Sequence, residues 1–217
     1  MQTTLIPIEG GWHGLWNGIH AKGFKAWDVY LDLFGRYAEP HRYYHGFPHV
    51  MEMLKEFEHV KHLCINPNAV EMSLWCGRAV YRMDWANNEE KSAEFIKKIL
   101  DQAQVAELFI REVTRLILLT KKQRTTQKDH DGALRLDIEL AVLGSSPGVF
   151  SQYERNIRKE YDSVGISREA FIAQRTEILI QLIIQKFIYR TQYFREKYEQ
   201  SARVNLDGSF GRLRTSV

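Results

Sequence analysis

The stretch Ala26-Trp27-Asp28-Val29-Tyr30-Leu31-Asp32-Leu33-Phe34-Gly35-Arg36-Tyr37 decides the fold class of this chain. Its large apolar residues recur at intervals of three and four, which is the period of an amphipathic α-helix. The same period recurs along the rest of the sequence, whereas the alternation typical of strands is almost absent. We therefore predict an all-α fold, organised as one helical-bundle domain over residues 1–217 with short connections.

Capping signals place several of the other helices. Pro48 suits the first turn of one helix, and Asn66 followed by Pro67 suits the start of the next. Gly144 suits the C-terminal end of another helix. In chain order, the further predicted helices cover 48–60, the segment from Pro67 past Arg78, a segment opening at Asn88, and then 105–120, 134–143, 148–161, 168–189 and 191–205.

Composition restricts the class of protein. The chain has 217 residues, of which 44% are hydrophobic and 26% charged, with a formal net charge of +3. This weakly basic and evenly mixed charge fits an anionic small molecule, and it argues against nucleic acid as a partner. No uncharged apolar run of about 18 residues is present, so we expect no membrane partner. The apolar segment 171–188 suits either the core or the interface of a homodimer.

The two cysteines indicate a cellular location. Cys64 and Cys76 share no spacing typical of a metal site, and two cysteines in a chain of this length are typical of reduced thiols. The N-terminus has no basic region followed by an apolar run, so we expect no signal peptide. Together these features predict a cytoplasmic protein.

Several polar motifs follow one another in a fixed order and carry a resemblance. They are Arg42-Tyr43-Tyr44-His45-Gly46-Phe47-Pro48-His49-Val50, Leu74-Trp75-Cys76-Gly77-Arg78-Ala79-Val80-Tyr81 with Asn88 to Ala93, Leu119-Thr120-Lys121-Lys122-Gln123, and Leu136 to Gly144 followed by Tyr153, Arg158, Glu160, Tyr161 and Arg175. From about Tyr37 to Asn205 the chain resembles the predicted metal-dependent HD-superfamily phosphohydrolases, in their small bacterial branch. The resemblance implies an HD-like helical bundle.

The resemblance also implies a set of metal-ligand positions. In that superfamily a His, an adjacent His-Asp pair and a distant Asp bind a divalent metal, which activates water and stabilises charge on a phosphoryl group. His49 matches the first His, and Gly77 and Arg78 fall where the His-Asp pair is expected. Asp137 or Glu139 matches the last carboxylate, and the sequence leaves both open.

Further positions follow from the same resemblance. Glu89 matches a residue that assists the attacking water, so it is a vestigial candidate for catalysis. Gln123 falls where a further His is usual. Arg158 and Arg175 match arginines of the superfamily, and guanidinium groups bind phosphate well. The remaining candidates for ligand binding are His45, at the mouth of the pocket, and Lys122, in a short basic run.

The departures fall on the metal positions themselves. Arg78 stays protonated at any working pH, and within about 4 Å of a cation its repulsion amounts to several kcal/mol at an intermediate dielectric. We therefore expect no metal at the remnant positions His49 and Asp137. We expect Arg78 to pair with Asp137 or Glu139, and Gly77 to leave space in the pocket. The implied function is non-catalytic binding of a small anionic or nucleotide-like ligand, or of a protein partner.

Other interpretations remain open at this point. The chain could be a phosphohydrolase that binds Mn, Mg, Fe or Zn through substitute ligands, drawn from His45, Glu89 and the run Asp129-His130-Asp131. It could also be a metal-independent enzyme that uses the same pocket. Structural interpretations compete with each functional one: His49 as a buried histidine, Glu89 as a partner of its helix dipole, and Arg158 or Arg175 as a partner of Glu160. A further alternative is an activated thiol at Cys76.

Overall fold

The chain is all-helical, as the sequence predicts. The computed structural model describes residues 5–23 and 25–215, and within them helix is extensive and no strand occurs. Two 3₁₀ turns, Lys61–Leu63 and Ala141–Gly144, join helices of this described part. The α-helices in chain order are α1 (Leu5–Gly18), α2 (Ala26–Tyr37), α3 (Phe47–Val60), α4 (Pro67–Cys76), α5 (Asn88–Gln102), α6 (Glu107–Lys122), α7 (His130–Leu140), α8 (Pro147–Ser163), α9 (Arg168–Ile183) and α10 (Gln192–Arg214).

The described residues group into two compact units. Unit 1 takes in those of Met1–Glu39 and His45–Arg135, and unit 2 those of Pro40–Tyr44 and Leu136–Val217. The organisation as one domain over 1–217 stays a prediction. None of the described helices combines the length and the apolar character that crossing a membrane requires.

An aromatic cluster around Trp12 forms part of the core of unit 1. Trp12 is fully buried, and its ring centroid lies 5.0 Å from that of Trp75 and 6.2 Å from that of Tyr30. Its indole N–H donates a hydrogen bond to the carbonyl of Ala26 at 2.7 Å. The Tyr37 hydroxyl donates to the carbonyl of Trp75 at 2.8 Å. These contacts fix α1 and α2 against α4, and so position the segment that follows Cys76. The sequence did not predict α1.

Helix α4 begins where predicted but ends earlier. The Asn66 side chain accepts a hydrogen bond from the N–H of Ala69 at 3.1 Å, which confirms it as the N-terminal cap. The prediction that α4 runs past Arg78 was wrong. The backbone N–H and carbonyl of Val80 instead bond to the hydroxyl of Ser92, at 3.1 and 3.0 Å, so the chain leaves the helix after Cys76.

In unit 2, α9 ends at Ile183 rather than at the predicted Tyr189. The backbone N–H groups of the segment 188–191 bond to side-chain carboxylates instead of to helical carbonyls. Glu199 accepts from Ile188 at 3.1 Å, and Asp137 accepts from Thr191 at 2.7 Å. Because these acceptors lie outside α9, 11 and 54 residues from their donors, the apolar period of α9 gives no sign of them.

Glu71 provides a test of the packing around α4 in unit 1. Burial raises the pKa of Glu71 from 4.5 to about 6, and the hydrogen bond from Trp75 opposes that rise. The native state therefore binds this proton more tightly than the unfolded state does, so the ionised carboxylate costs stability above pH 6 but not below pH 4.5. We predict that Glu71→Gln raises the free energy of unfolding by about 1–2 kcal/mol at pH 7.5.

Urea denaturation at pH 7.5 and at pH 4.5 measures this effect, which should be nearly absent at the lower pH. Glu94→Gln, at an exposed position on α5, is the matched control and should show no such pH dependence. An equal effect of Glu71→Gln at both pH values would contradict the prediction.

Candidate functional site

Residues at the start of α5 hold the segment that precedes it. The Asn88 side-chain amide donates to the carbonyls of Arg82 and Trp85, at 2.7 and 3.1 Å, and its oxygen accepts the N–H of Arg82 at 3.0 Å. One turn later, Ser92 bonds both backbone polar groups of Val80. Both ends of the segment 80–85 are thus bonded to α5. This arrangement brings Arg78 and the first turn of α5 together.

Arg78 forms an ion pair with Glu89. Its Nη1 lies 2.5 Å from Oε1 of Glu89, and the two side chains are only 13% and 11% exposed. Within unit 1, the carboxylate beside Arg78 is therefore the one that the resemblance assigns to the attacking water. The pairing of Arg78 with Asp137 or Glu139 stays a prediction. Removing one member of a pair this buried typically costs about 3–5 kcal/mol.

Arg135 lies against Gly77. It is fully buried, and its Nη2 is only 2.7 Å from the point where a Cβ atom on Gly77 would lie. The carbonyl oxygen of Ser73 is 2.8 Å from the same point. The expectation that Gly77 leaves open space was therefore wrong, because the guanidinium of Arg135 fills it. Sequence reasoning missed Arg135, which stands between Leu134 and Leu136 and belongs to no motif.

A tyrosine lies near Arg78, and two histidines follow it in a chain of ring contacts. The rings of His45 and His49 are 5.7 Å apart, and the ring of Tyr81 is 4.4 Å from that of His45. The Arg78 guanidinium carbon lies 6.0 Å from the centre of the Tyr81 ring. His49 and Tyr81 are buried, and His45 is half-buried. We define the arginine site as Arg78, Arg135 and Glu89, with His45, His49 and Tyr81 beside them.

Asp137 has a structural task in unit 2. It is fully buried and accepts hydrogen bonds from the backbone N–H of Arg190 at 2.8 Å and from the hydroxyl of Thr191 at 2.8 Å. Burial raises the pKa of Asp137, and these bonds oppose the rise. Its carboxylate thus fixes the start of α10. Glu139, the other candidate for the last carboxylate, is half-buried on α7.

The candidates at the end of α6 occupy a helix terminus. Gln123 has a φ of +49°, the left-handed conformation that ends many helices, and its side-chain amide donates to the carbonyl of Thr120 at 2.9 Å. Lys122 is exposed, and Lys in a last turn is favoured by the helix dipole. These contacts give Gln123 a structural explanation that does not require a ligand.

The two arginines of unit 2 pair with neighbouring carboxylates. Arg175 is buried, and its Nη2 donates to the Tyr153 hydroxyl at 3.0 Å and to Glu154 at 3.1 Å. Arg158 pairs with Asp162, one turn further along α8. The sequence suggested Glu160 as the partner of one of these arginines. In the structure, Glu160 accepts a hydrogen bond from the backbone N–H of Tyr44 at 2.7 Å.

The run Asp129-His130-Asp131 was the source of possible substitute metal ligands. Its two carboxylates are engaged in ion pairs and hydrogen bonds. Asp129 pairs with Arg115 at 2.6 Å, and Asp131 accepts the N–H groups of Ile65 and Asn66 at 2.7 and 2.8 Å. His130 is exposed. Across residues 5–23 and 25–215, no group of three or more His, Cys, Asp and Glu side chains is placed to hold a metal ion.

The thiol of Cys76 does not fit the activated-nucleophile alternative. Cys76 is fully buried, and burial raises the pKa of its thiol far above the ordinary value. The thiol is therefore protonated at neutral pH, whereas the nucleophile is the thiolate. Burial likewise raises the pKa of Cys64, to about 12.

Comparison with protein-family models, with curated proteins and with solved structures finds no match for this chain.

The structural role of Asp137, as acceptor of buried hydrogen bonds, can be tested by substitution. Asp137→Asn keeps the shape of the side chain but turns one acceptor oxygen into a donor that faces N–H groups. We predict that this change lowers the free energy of unfolding by about 3 kcal/mol, because it leaves buried donors unsatisfied. Urea denaturation measures the loss, with Asp207→Asn, at an exposed position on α10, as the matched control. A loss below about 0.5 kcal/mol, the ordinary range for surface substitutions, would contradict the structural role.

Proposed function

We propose that the chain is a degenerate HD-superfamily protein that binds a small anionic, nucleotide-like ligand without catalysing its hydrolysis. One observation carries the proposal: two arginines lie at the positions where the resemblance implies two metal ligands. Arg78 stands at the position of the acid, and the guanidinium of Arg135 lies where the side chain of residue 77 would begin.

Electrostatics favours an anion over a metal ion at this site. Both residues are arginines, and the guanidinium group of arginine carries a fixed positive charge in proteins. A divalent cation about 4 Å from a single guanidinium would meet a repulsion of about 8 kcal/mol at an effective dielectric constant of 20, and the Glu89 carboxylate reduces this repulsion beside Arg78. A doubly charged anion at the same distance would gain an attraction of the same size and a singly charged anion half of it, in each case reduced by the Glu89 carboxylate. Guanidinium groups also offer N–H donors in the planar arrangement that suits phosphate oxygens.

The position of Glu89 supports binding rather than catalysis. A carboxylate that assists hydrolysis must point an oxygen at the attacking water. Oε1 of Glu89 accepts the short hydrogen bond from Arg78, so at least one of its two oxygens is engaged by a cation and not by water. The buried position of the site favours a small ligand over a protein partner, because a protein surface docks against exposed groups. A cytoplasmic location is part of the proposal and rests on the two free thiols, Cys64 and Cys76.

A direct binding experiment tests the proposal. We predict that AMP and inorganic phosphate bind the protein, as measured by isothermal titration calorimetry, and raise its melting temperature. Arg78→Met should weaken this binding about tenfold or more, because a charge-assisted contact is lost. Arg111→Met is the matched control, since Arg111 is an exposed arginine of α6 that pairs with Glu107. Equal binding by the wild type and Arg78→Met would contradict the proposed site.

Measurements of metal content and of turnover test the second part of the proposal, that the protein binds its ligand without a metal and without hydrolysis. Protein purified without chelator should contain far less than one equivalent of Mn, Fe, Co, Ni or Zn. It should also hydrolyse no nucleotide or phosphomonoester when these ions or Mg²⁺ are added. A stoichiometric metal that is lost on His49→Ala, or hydrolysis that is lost on Glu89→Gln, would establish the metal-dependent enzyme instead.

A further inference from the structure

We propose that the face formed by α2 and α3 is the interface of a homodimer, in which α2 of one copy packs antiparallel against α2 of a second copy. The dimer has a twofold axis near the middle of α2. All of the residues that form this face lie in unit 1. A dimer of this kind does not depend on the anion-binding function proposed above.

Helix α2 carries apolar residues on two sides. Those that face the core are Val29, Tyr30, Leu33 and Tyr37. A second apolar row, formed by Trp27, Leu31, Phe34 and Ala38, has intervals of four, three and four, and so it follows one line along the helix. Leu31 and Phe34 in this row are 51% and 44% exposed. A surface helix needs only one apolar stripe to pack on its own core, so a second, exposed stripe indicates a partner.

Helix α3 widens this stripe into a face. Its residues Phe47, Met51 and Leu54 are half-buried and follow one another at intervals of four and three. The ring centroids of Phe47 and Phe34 lie 5.1 Å apart, so the two rows are neighbours.

The size of the face is sufficient for a weak dimer. Helix α2 has 12 residues and α3 has 14, so the helices are about 18 and 21 Å long, and two helices side by side are about 20 Å wide. A face of this size lies at the lower end of the range for specific interfaces. We therefore expect a dimer with a Kd in the micromolar range.

Antiparallel pairing matches the apolar row to itself in size. When the twofold axis passes beside the middle of α2, Leu31 of one copy lies opposite Phe34 of the other. The same register places the large Trp27 opposite the small Ala38. A parallel pairing would instead place each side chain opposite its own copy, with Trp27 against Trp27.

The charges beside the row fit the same register. Asp28 and Arg36 each lie four residues from Asp32, so antiparallel pairing brings the Asp28 carboxylate of one copy towards the Arg36 guanidinium of the other. Within one copy, Nε of Arg36 donates to Asp32 at 2.9 Å, and a guanidinium has further N–H donors for a second carboxylate. The exposed acids Asp28 and Asp32 would repel an anionic lipid surface, which favours a second copy as the occupant.

The apolar segment 171–188 offers no comparable stripe. Phe171 and Leu179 are buried in the core of unit 2. The exposed Ile178 and Ile184 lie six residues apart, which places them about 120° apart around the helix. These two side chains therefore do not form one line that a second helix could cover.

Sedimentation equilibrium of the full chain tests the interface. We predict that the wild type dimerises with a Kd of about 10 µM and that Leu31→Lys raises the Kd at least about 30-fold, because it places two ammonium groups in an apolar contact. Leu108→Lys is the matched control, since Leu108 is 79% exposed on α6, and it should leave the Kd unchanged. A wild type that stays monomeric about tenfold above the expected Kd would overturn the inference, and so would a dimer that Leu31→Lys leaves unchanged.

Charge reversal tests the register. Asp28→Arg and Arg36→Asp should each raise the Kd about fivefold, because each turns two exposed ion pairs into two repulsions. An equimolar mixture of the two variants should restore the wild-type affinity, since each copy then supplies the charge that the other lacks. Single variants that dimerise as well as the wild type, or a mixture as weak as either variant alone, would overturn the antiparallel interface. Circular dichroism checks the fold of each variant, and the Leu31→Lys comparison stands by itself if Arg36→Asp folds poorly.

Discussion

The close approach of the Arg135 guanidinium to the backbone of Gly77 is the constraint on which the candidate site depends. A guanidinium can lie there only because residue 77 has no side chain, and a buried charge is costly unless its surroundings are polar. The adjacent Arg78 and its partner Glu89 add a second cation and an anion to the same region. The charged groups around positions 77 and 78 are thus two arginines and one glutamate.

Carboxylates elsewhere in the chain fix backbone segments that lie outside the regular helices. Such segments have N–H groups without helical acceptors, and a buried N–H needs a partner. Asp131 accepts two of them before α4, and Asp137 and Glu199 accept those of the segment before α10. Several acids that a motif search would treat as metal ligands are therefore engaged in structural bonds. The same residue types serve both purposes, so only geometry can distinguish them.

The sequence predicted what depends on local periodicity and failed where distant groups intervene. The bounds of α2 were predicted correctly, because its apolar period and its ends are local properties. The end of α4 was not predicted correctly, since Ser92 of another helix forms hydrogen bonds with the backbone of Val80. Within the site, the order of motifs identified Arg78 and Glu89 as candidates but did not predict that they form an ion pair. Arg135 could not be found this way, because no pattern in a sequence shows that one side chain fills the space left by another.

Arg135 constrains the residue at position 77, and Glu89 constrains the residue at position 78. A histidine at position 77 would collide with the guanidinium of Arg135. An aspartate at position 78 would place a second carboxylate beside Glu89 and remove the partner of Glu89, which is destabilising in a buried setting. Each single step towards a metal-binding set of residues is therefore unfavourable while the other positions stay as they are. Glycine at position 77 thus suits Arg135, and arginine at position 78 suits Glu89.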